Sequence, residues 1–284
     1  MIDPRSIIDP SAELGNNVTV GPWTMIGADV VIGDDCWIAP HVVLKGPTTI
    51  GRNNRIYQFS TVGEDTPAIA YHGEPTTLEI GDDNVIREGV TIHRGLIQDL
   101  GTTIIGNHCL LMAYVHIGHD CVLGDHVIMA NNVAISGHVQ VGDYANFGGY
   151  SGVAQFRIVG AHTHIAAMSL VLKDVPAYLT VTGTPAYAVG LNVEGMRRRG
   201  YDDELIKTLR RAHKVVYREG RTVIEACEEL ANSAREIPEV GLFVQSIRDS
   251  QKGIIRARGR GLIEDDGNSV EGTDHGQPTD KDAD

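Results

Sequence analysis

Histidines are concentrated in the middle of the chain, where such a cluster could bind zinc or supply a general base. One of them is followed directly by an acid, in His119-Asp120, and Gly137 comes eighteen residues later. A histidine can take a proton from an attacking hydroxyl, and a neighbouring carboxylate can orient its imidazole. A glycine leaves its N–H open to an oxyanion. The set favours acyl transfer from an activated thioester. The clustered histidines are His93, His108, His116, His119, His126, His138, His162 and His164.

A six-residue repeat must position these side chains. Every sixth residue from Ile105 to Val171 is large and apolar, and an aliphatic series with the same period runs from Ile2 to Val62. An α-helix repeats every 3.6 residues and a strand every two, so neither explains the pattern. Hexapeptide repeats form a parallel β-helix, with three flat sides and therefore eighteen residues per coil. Gly137 is thus expected directly above His119, about 4.8 Å away.

The repeat is interrupted twice. Its phase fails at Ala68 and Glu74 and returns unchanged at Ile80, so a loop is expected near residues 64–77. A second excursion spans Gly95–Thr103. Loops on a rigid scaffold commonly carry function, and both flank the histidines.

Helical spacing replaces the repeat in the C-terminal part. It predicts helices from Asp202 to Gly220, from Thr222 to Leu230 and from about Pro238 to Ser250. We divide the chain into a β-helix (1–190), a helical domain (191–256) and a disordered acidic tail (257–284). The basic run Arg197–Arg199 precedes the first predicted helix and favours an anionic ligand.

Composition excludes several classes of protein. No run of eighteen apolar residues is present, so stable membrane insertion is not expected. The N-terminus lacks a signal peptide and the four cysteines show no close pairing, which favours a cytoplasmic location. The net charge is −13, and residues 261–284 alone hold eight acids against one Lys. Nucleic acid is therefore not an expected partner.

Several segments together carry a resemblance to a known family. The chain resembles UDP-N-acetylglucosamine 3-O-acyltransferases, the acyl-carrier-protein-dependent enzymes of the first step of lipid A (lipopolysaccharide) biosynthesis. The resemblance covers residues 1 to about 256. The segments are Ile92–Gly95, His116–Cys121, Asn131–Asn132, Gly137–Val139, Asn192–Gly200 and, in the first loop, Gly73–Thr76.

The resemblance implies a homotrimer of left-handed β-helices, with three active sites between subunits and no metal or cofactor. It makes His119 the general base, Asp120 its partner and Gly137 the oxyanion donor. The remaining basic residues of the helical part would dock the acidic carrier protein. By the same resemblance, the cleft around the sugar, phosphate and acyl groups is lined by His93, His116, His138 and Gln155. The UDP portion would be bound by Asn192, Glu194, Arg198 and Arg199.

The chain departs from the family pattern around the acyl donor. Ala68 and Ala70 stand where the family usually carries an Asp that recognises the acyl 3-hydroxyl and a nearby Lys, and Ala154 replaces a frequent His. Whether a 3-hydroxyacyl group is required is therefore open. Ala167 and Met168 fall where the family sets acyl length, and we expect a chain of about ten carbons rather than fourteen.

Alternatives stay open at this stage. The related N-acyltransferase carries an extra N-terminal domain, whereas this repeat begins at Ile2. A γ-type carbonic anhydrase would use histidines such as His116 and His119 for zinc. A non-catalytic or acetyl-CoA-dependent relative would fit the altered acyl loop. The acceptor could also be a 3-amino analogue of the sugar nucleotide.

Overall fold

The computed structural model describes residues 1–258, and these form a left-handed parallel β-helix followed by a group of α-helices. The parallel β-helix predicted from the repeat is confirmed, and so is the left-handed sense that the resemblance implied. The predicted disordered tail lies, beyond Arg258, outside the described residues.

Three sheets form the three sides of the coil, and we number the sides in the order the chain meets them. The first side consists of β1 (Ile7–Ile8), β4 (Met25–Ile26), β7 (Val43–Leu44), β10 (Thr61–Glu64), β13 (Thr91–His93), β16 (His116–Ile117), β19 (Ala134–Ile135), β22 (Gly152–Val153) and β25 (Leu170–Val171). The second side consists of β2 (Glu13–Leu14), β5 (Val30–Ile32), β8 (Thr48–Ile50), β11 (Thr77–Ile80), β14 (Thr102–Ile105), β17 (Val122–Leu123), β20 (Gln140–Val141) and β23 (Ile158–Val159). The third side consists of β3 (Thr19–Val20), β6 (Trp37–Ile38), β9 (Arg55–Ile56), β12 (Val85–Ile86), β15 (Leu110–Leu111), β18 (Ile128–Met129), β21 (Asn146–Phe147), β24 (His164–Ile165), β26 (Leu179–Gly183) and β27 (Ala186–Leu191).

The strands pair in parallel at the eighteen-residue spacing that the repeat predicts. Ile117 lies against Ile135, and Leu123 against Val141. The repeated apolar side chains point into the coil and are buried along most of its length, so they form the core. The repeated apolar residues are not buried at the N-terminal end. Ile2 is 50% exposed there because it lies in the first coil, with no coil below it.

The corners of the coil need a left-handed backbone. Non-glycine residues with positive φ recur at six-residue intervals, for example His126, Asn132 and His138. At the corner between the second and third sides their rings stack into a ladder, with neighbouring centroids 4.6 to 5.2 Å apart. This ladder rigidifies the edge of the coil that faces the C-terminal helices. Its rings are His108, His126, Tyr144, His162 and Tyr178.

The ladder predicts a pH dependence of stability. Burial, with the nearby charge of Arg199, lowers the pKa of His162 to about 4. Below pH 6.5 the unfolded chain binds a proton at this histidine that the folded chain does not, so the free energy of unfolding falls as the pH drops towards 4. Phenylalanine at position 162 keeps the stack but cannot titrate. Between pH 7 and pH 5, we therefore expect the free energy of unfolding of His162→Phe, measured by urea denaturation, to fall by about 2 kcal/mol less than that of the parent. Equal losses in the two proteins would contradict this.

Both predicted loops leave the coil at one corner, the corner between the first and second sides, which we call the loop corner. Residues 65–76 connect β10 to β11, and residues 94–101 connect β13 to β14. The sheets continue across them, because Thr61 pairs with Thr91 and Thr91 pairs with His116. The loops therefore project from an intact scaffold.

The helices follow the antiparallel β26–β27 hairpin. They are α1 (Val193–Arg198), α2 (Asp203–Arg218), α3 (Val223–Glu229), α4 (Ala231–Glu236) and α5 (Pro238–Arg248). The predicted caps are confirmed: the Asp202 carboxylate accepts the Leu205 N–H at 2.7 Å, and Thr222 and Glu225 form a capping box. The sequence did not predict α1 and α4, which have only six residues each and lack a long amphipathic pattern. No helix among the described residues is both long and apolar enough to cross a membrane.

Candidate active site

His119 and Asp120 form the turn at the loop corner between β16 and β17. Asp120 occupies the left-handed position of the turn, with φ +55°, a conformation that Asp tolerates better than most residues. Its carboxylate Oδ2 lies 2.7 Å from His119 Nδ1. A carboxylate only accepts, so Nδ1 carries a proton, and the tautomer this selects has its lone pair on Nε2. The turn thus presents a histidine in the tautomer of a base.

Asp120 also ties the second loop to the coil. Its two carboxylate oxygens accept the backbone N–H groups of Leu96 at 2.9 Å and Gly101 at 3.0 Å. Both residues of the pair are buried, with 9% of His119 and 4% of Asp120 exposed. The sequence placed His119 on the outside of the coil, which is correct, but the second loop covers it. The imidazole is therefore held in one orientation and largely shielded from water.

Gly137 lies against His119, as the eighteen-residue spacing predicts. A Cβ built on Gly137 would stand 2.6 Å from His119 Nε2, closer than any real contact of this kind. The Gly137 N–H donates to no acceptor among residues 1–258. The imidazole therefore lies against a residue whose backbone donor is unused.

His138 and Gln155 complete the column. The His138 ring meets His119 edge-on, with centroids 4.7 Å apart, and stacks on Phe156 at 4.2 Å. Its Nδ1 contacts the carboxylate of Asp99, from the second loop. Gln155 occupies the same corner one coil beyond Gly137 and is exposed.

His93 and His116 lie on neighbouring strands of the first side, with ring centroids 5.3 Å apart. His93 Nδ1 lies 2.7 Å from the Asp65 carbonyl oxygen, and His116 Nδ1 lies 2.8 Å from the Thr91 hydroxyl. Burial, together with the neighbouring His93, lowers the pKa of His116. Both histidines are thus anchored through Nδ1, beside the strand that leads to His119.

Arg94 fixes the base of the first loop, a role that no sequence pattern indicates. It is 5% exposed, donates to the Gly63 carbonyl and to the Tyr71 hydroxyl, and pairs with the carboxylate of Asp65. A buried charge can only be accommodated with such partners. Ala68 and Ala70 lie on this loop, Ala68 half-buried and Ala70 exposed, and neither offers a polar group to a ligand.

The predicted UDP-binding residues lie elsewhere, on the third side. Asn192, Glu194, Arg198 and Arg199 line a cavity of about 430 Å³ together with Ile128, Asn146 and His164. The eighteen-residue spacing of Ile128, Asn146 and His164 places them in one column, so the sequence alone indicates that they share this wall. Burial lowers the pKa of His164, so this wall of the cavity is neutral at pH 7.

These four residues differ in how free they are. Asn192 caps α1, since its side chain accepts the Gly195 N–H at 3.0 Å and donates to the His162 carbonyl at 2.9 Å. Arg199 lies over the Tyr144 ring at 4.8 Å and donates to two backbone carbonyls. Among residues 1–258, Arg198 has only an exposed pairing with Glu194 at 3.2 Å. Arg198 is therefore the cation best placed to turn towards a ligand.

His119 and this cavity do not meet within one chain. In a three-sided coil the third side lies opposite the loop corner, and the core fills the space between them. Ala167 and Met168, the predicted acyl-length residues, lie in the turn after β24, at the corner between the third and first sides. Both are exposed, Met168 to 72%.

His119, Asp120 and His138 also form a cluster whose ligand atoms lie within 4.8 Å of one another. However, both Asp120 oxygens already accept backbone N–H groups, and His138 Nδ1 faces Asp99. A catalytic zinc needs three protein ligands with an open fourth position. The hydrogen bonding fits an oriented base better than a metal centre.

Known proteins similar to this chain over nearly all of its described residues are acyltransferases. The model of the UDP N-acetylglucosamine O-acyltransferase domain 2 family matches residues 174–255, and the bacterial transferase hexapeptide model matches residues 29–64 and 102–137. An acyl-[acyl-carrier-protein]–UDP-N-acetylglucosamine O-acyltransferase from Stutzerimonas stutzeri is 58% identical over 256 residues, which are 90% of this chain and 99% of that protein. Its counterpart from Pseudomonas paraeruginosa is 60% identical over the same length and coverage. The chain belongs to the UDP-N-acetylglucosamine O-acyltransferase family.

Solved structures of this O-acyltransferase family have the same fold as this chain. The enzyme from Moraxella catarrhalis superposes with a TM-score of 0.89 at 44% identity, covering 90% of this chain and 99% of that one. The enzyme from Francisella novicida gives 0.89 at 39% identity, covering 91% and 95%. Membership in the O-acyltransferase family rules out the carbonic anhydrase and N-acyltransferase alternatives.

Proposed function

We propose that this O-acyltransferase transfers an acyl group from acyl carrier protein to the 3-hydroxyl of UDP-N-acetylglucosamine, the first step of lipid A biosynthesis. The observation that carries the proposal is the His119 imidazole, oriented by Asp120 through Nδ1 and set with Nε2 beside the unused N–H of Gly137. The names of the relatives, at 58–60% identity, supply the two substrates.

In this mechanism His119 Nε2 takes the proton of the sugar 3-hydroxyl as that oxygen attacks the thioester carbonyl. A carbon–oxygen bond forms, and the carbonyl oxygen becomes an oxyanion that accepts the Gly137 N–H. Collapse of this intermediate breaks the carbon–sulfur bond. The imidazolium returns its proton to the departing thiolate, so that the products are the ester and the free thiol of the carrier. Asp120 stays ionised and stabilises the imidazolium.

The other predicted residues bind the substrates in this proposal. Arg198 and Arg199 suit a diphosphate because a guanidinium offers a planar fork of donors, and Asn192 and Glu194 shape the same cavity. His93, His116, His138 and Gln155 surround the sugar and acyl groups near the loop corner.

We propose a homotrimer in which each active site joins two subunits. The support is geometric: the base lies at the loop corner, whereas the candidate UDP cavity lies on the opposite side of the same coil. One sugar nucleotide can reach both only if the cavity comes from a second copy. The division into a β-helix (1–190) and a helical domain (191–256), and a cytoplasmic location, belong to the same proposal.

The acyl group is the open part of the function. Ala68 and Ala70 offer no polar side chain to a 3-hydroxyl at the two positions where the family usually carries an Asp and a Lys, which favours plain acyl donors as the second candidate. Met168 is exposed at its corner and can project into a neighbouring subunit. We expect turnover to be greatest with chains of about ten carbons and to fall with fourteen, because an added side chain shortens an acyl tunnel.

One assay tests both the proposed acyl transfer and the preferred acyl chain. UDP-N-acetylglucosamine or its 3-amino analogue would be combined with carrier-protein thioesters of ten to fourteen carbons, each with and without a 3-hydroxyl. Fastest turnover with fourteen carbons would refute the length prediction. No turnover with any thioester, from folded trimeric protein, would refute the proposed function. Met168→Gly serves as the matched variant, since it should shift the optimum to longer chains.

A further inference from the structure

The exposed face of α2 carries a cluster of cations without matching acids. We call this the α2 basic face, and it consists of Arg210, Arg211, Lys214 and Arg218. Within residues 1–258, Arg210, Arg211 and Arg218 form no ion pair, and Lys214 has only Glu219 at 3.6 Å. Three of them line a cavity of about 300 Å³ against Gly190 and Leu191. Cations left unpaired on one face form a positive field that favours an acidic ligand.

The chain leaves the described structure beside this face. The Tyr217 hydroxyl donates to the Ile255 carbonyl at 3.1 Å, and Arg256 donates to the Val216 carbonyl at 3.1 Å. Val216 and Tyr217 lie in the last turns of α2, next to Arg218. Ala257 then bridges to Ala188 of β27, two residues from the cavity wall at Gly190. Arg256 and Ala257, just before the end of the described residues, therefore lie beside the C-terminal end of the α2 basic face.

The sequence that follows has the opposite charge. Residues 259–284 hold eight acids against Arg260 and Lys281, and three of the acids are consecutive, Glu264-Asp265-Asp266. Glu264 is six residues beyond Arg258, a distance along the chain that can span about 20 Å. The α2 basic face from Arg218 to Arg210 is about 12 Å long. The acids can therefore reach every cation of the face.

The acidic segment also makes this chain longer than its relatives. The Stutzerimonas and Pseudomonas relatives are matched over 99% of their own chains by 90% of this one. The contacts that anchor residues 255–257 to α2 and β27 fall at the end of the matched part. The extra segment therefore begins from a part of the chain that is anchored beside a basic surface.

We propose that residues 259–284 dock on the α2 basic face as an intramolecular acidic ligand and compete there with an acidic partner. Tethering gives the segment an effective concentration in the millimolar range, and salt weakens the contact because the charges are exposed. The partner it competes with is the acyl carrier protein, a part of the proposal that rests on the proposed function.

Zero-length carbodiimide coupling, which joins a carboxylate to a lysine amine, tests the docking on the full chain. Lys214 lies on the face, whereas Lys252 is exposed, off the face and nearer to the segment along the chain. We expect Glu264, Asp265 or Asp266 to couple to Lys214 at least about threefold more than to Lys252 at low salt, and the preference to vanish near 0.5 M NaCl. Equal or greater coupling to Lys252 at low salt would overturn the docking.

Competition is tested by steady-state kinetics with Glu264→Gln/Asp265→Asn/Asp266→Asn in the full chain. We expect the KM for the acylated carrier to fall roughly threefold to tenfold at low salt, with kcat unchanged. An unchanged KM would overturn the competition. A parent protein that couples to Lys214 yet transfers no acyl group from any carrier thioester would refute the proposed function while the docking stands, so the two failures are distinguishable.

Discussion

His119→Ala should lower kcat for acyl transfer by about 10²–10⁴-fold, the range that general base catalysis supplies. The expectation rests on geometry: Nδ1 is bound to Asp120 at 2.7 Å, so Nε2 is the free basic atom, and it lies against Gly137. The KM for UDP-N-acetylglucosamine should change little, because the nucleotide cavity lies on the third side. Initial rates with one saturating acyl-carrier thioester would measure this.

His126→Ala is the matched control. His126 is also a corner histidine, seven residues further along the chain, but it stacks in the ladder between His108 and Tyr144 and does not line the candidate nucleotide cavity. Its activity should stay within about threefold of the parent, since loss of surface stacking acts on stability. If His119→Ala and His126→Ala retain similar activity, His119 is not the base.

Gly137→Ala should be almost as damaging, by about a hundredfold or more in kcat. The added Cβ would lie 2.6 Å from His119 Nε2 and 2.8 Å from Cε1. Real Cβ atoms do not approach that closely, so the imidazole must rotate away and break its hydrogen bond with Asp120. The methyl group would also crowd the site of the oxyanion, where loss of one donor costs 10²–10³-fold in other enzymes.

The same substitution should leave the fold nearly intact, which separates a catalytic from a structural effect. The three atoms nearest to the added Cβ all belong to the His119 side chain, and Gly137 does not have positive φ. The free energy of unfolding should therefore change by less than about 1 kcal/mol. Gly152→Ala is the control, because its Cβ would meet nothing closer than 3.5 Å. Normal activity of Gly137→Ala, or unfolding of both variants, would contradict the prediction.

The sequence by itself determined the scaffold. A period of six can be met by a three-sided coil but not by a helix or a flat strand, so the apolar series fixed the fold, the eighteen-residue register and the two loop positions. Register then placed Gly137 over His119, because residues one coil apart must lie about one strand spacing apart. The resemblance, not the repeat, supplied the roles of the nucleotide-binding residues.

The tertiary structure decided what surrounds these positions. Only the folded loop shows that Asp120 accepts the N–H groups of Leu96 and Gly101, which buries a histidine that its corner position alone would expose. The buried role of Arg94 and the short helix α1 depend on long-range packing and on a single cap, and neither leaves a periodic signal. The placement of His119 and the Arg198 cavity on opposite parts of the coil likewise follows from closing three sides around one core. The repeat specifies each side, but the distance between the sides exists only after the chain has folded.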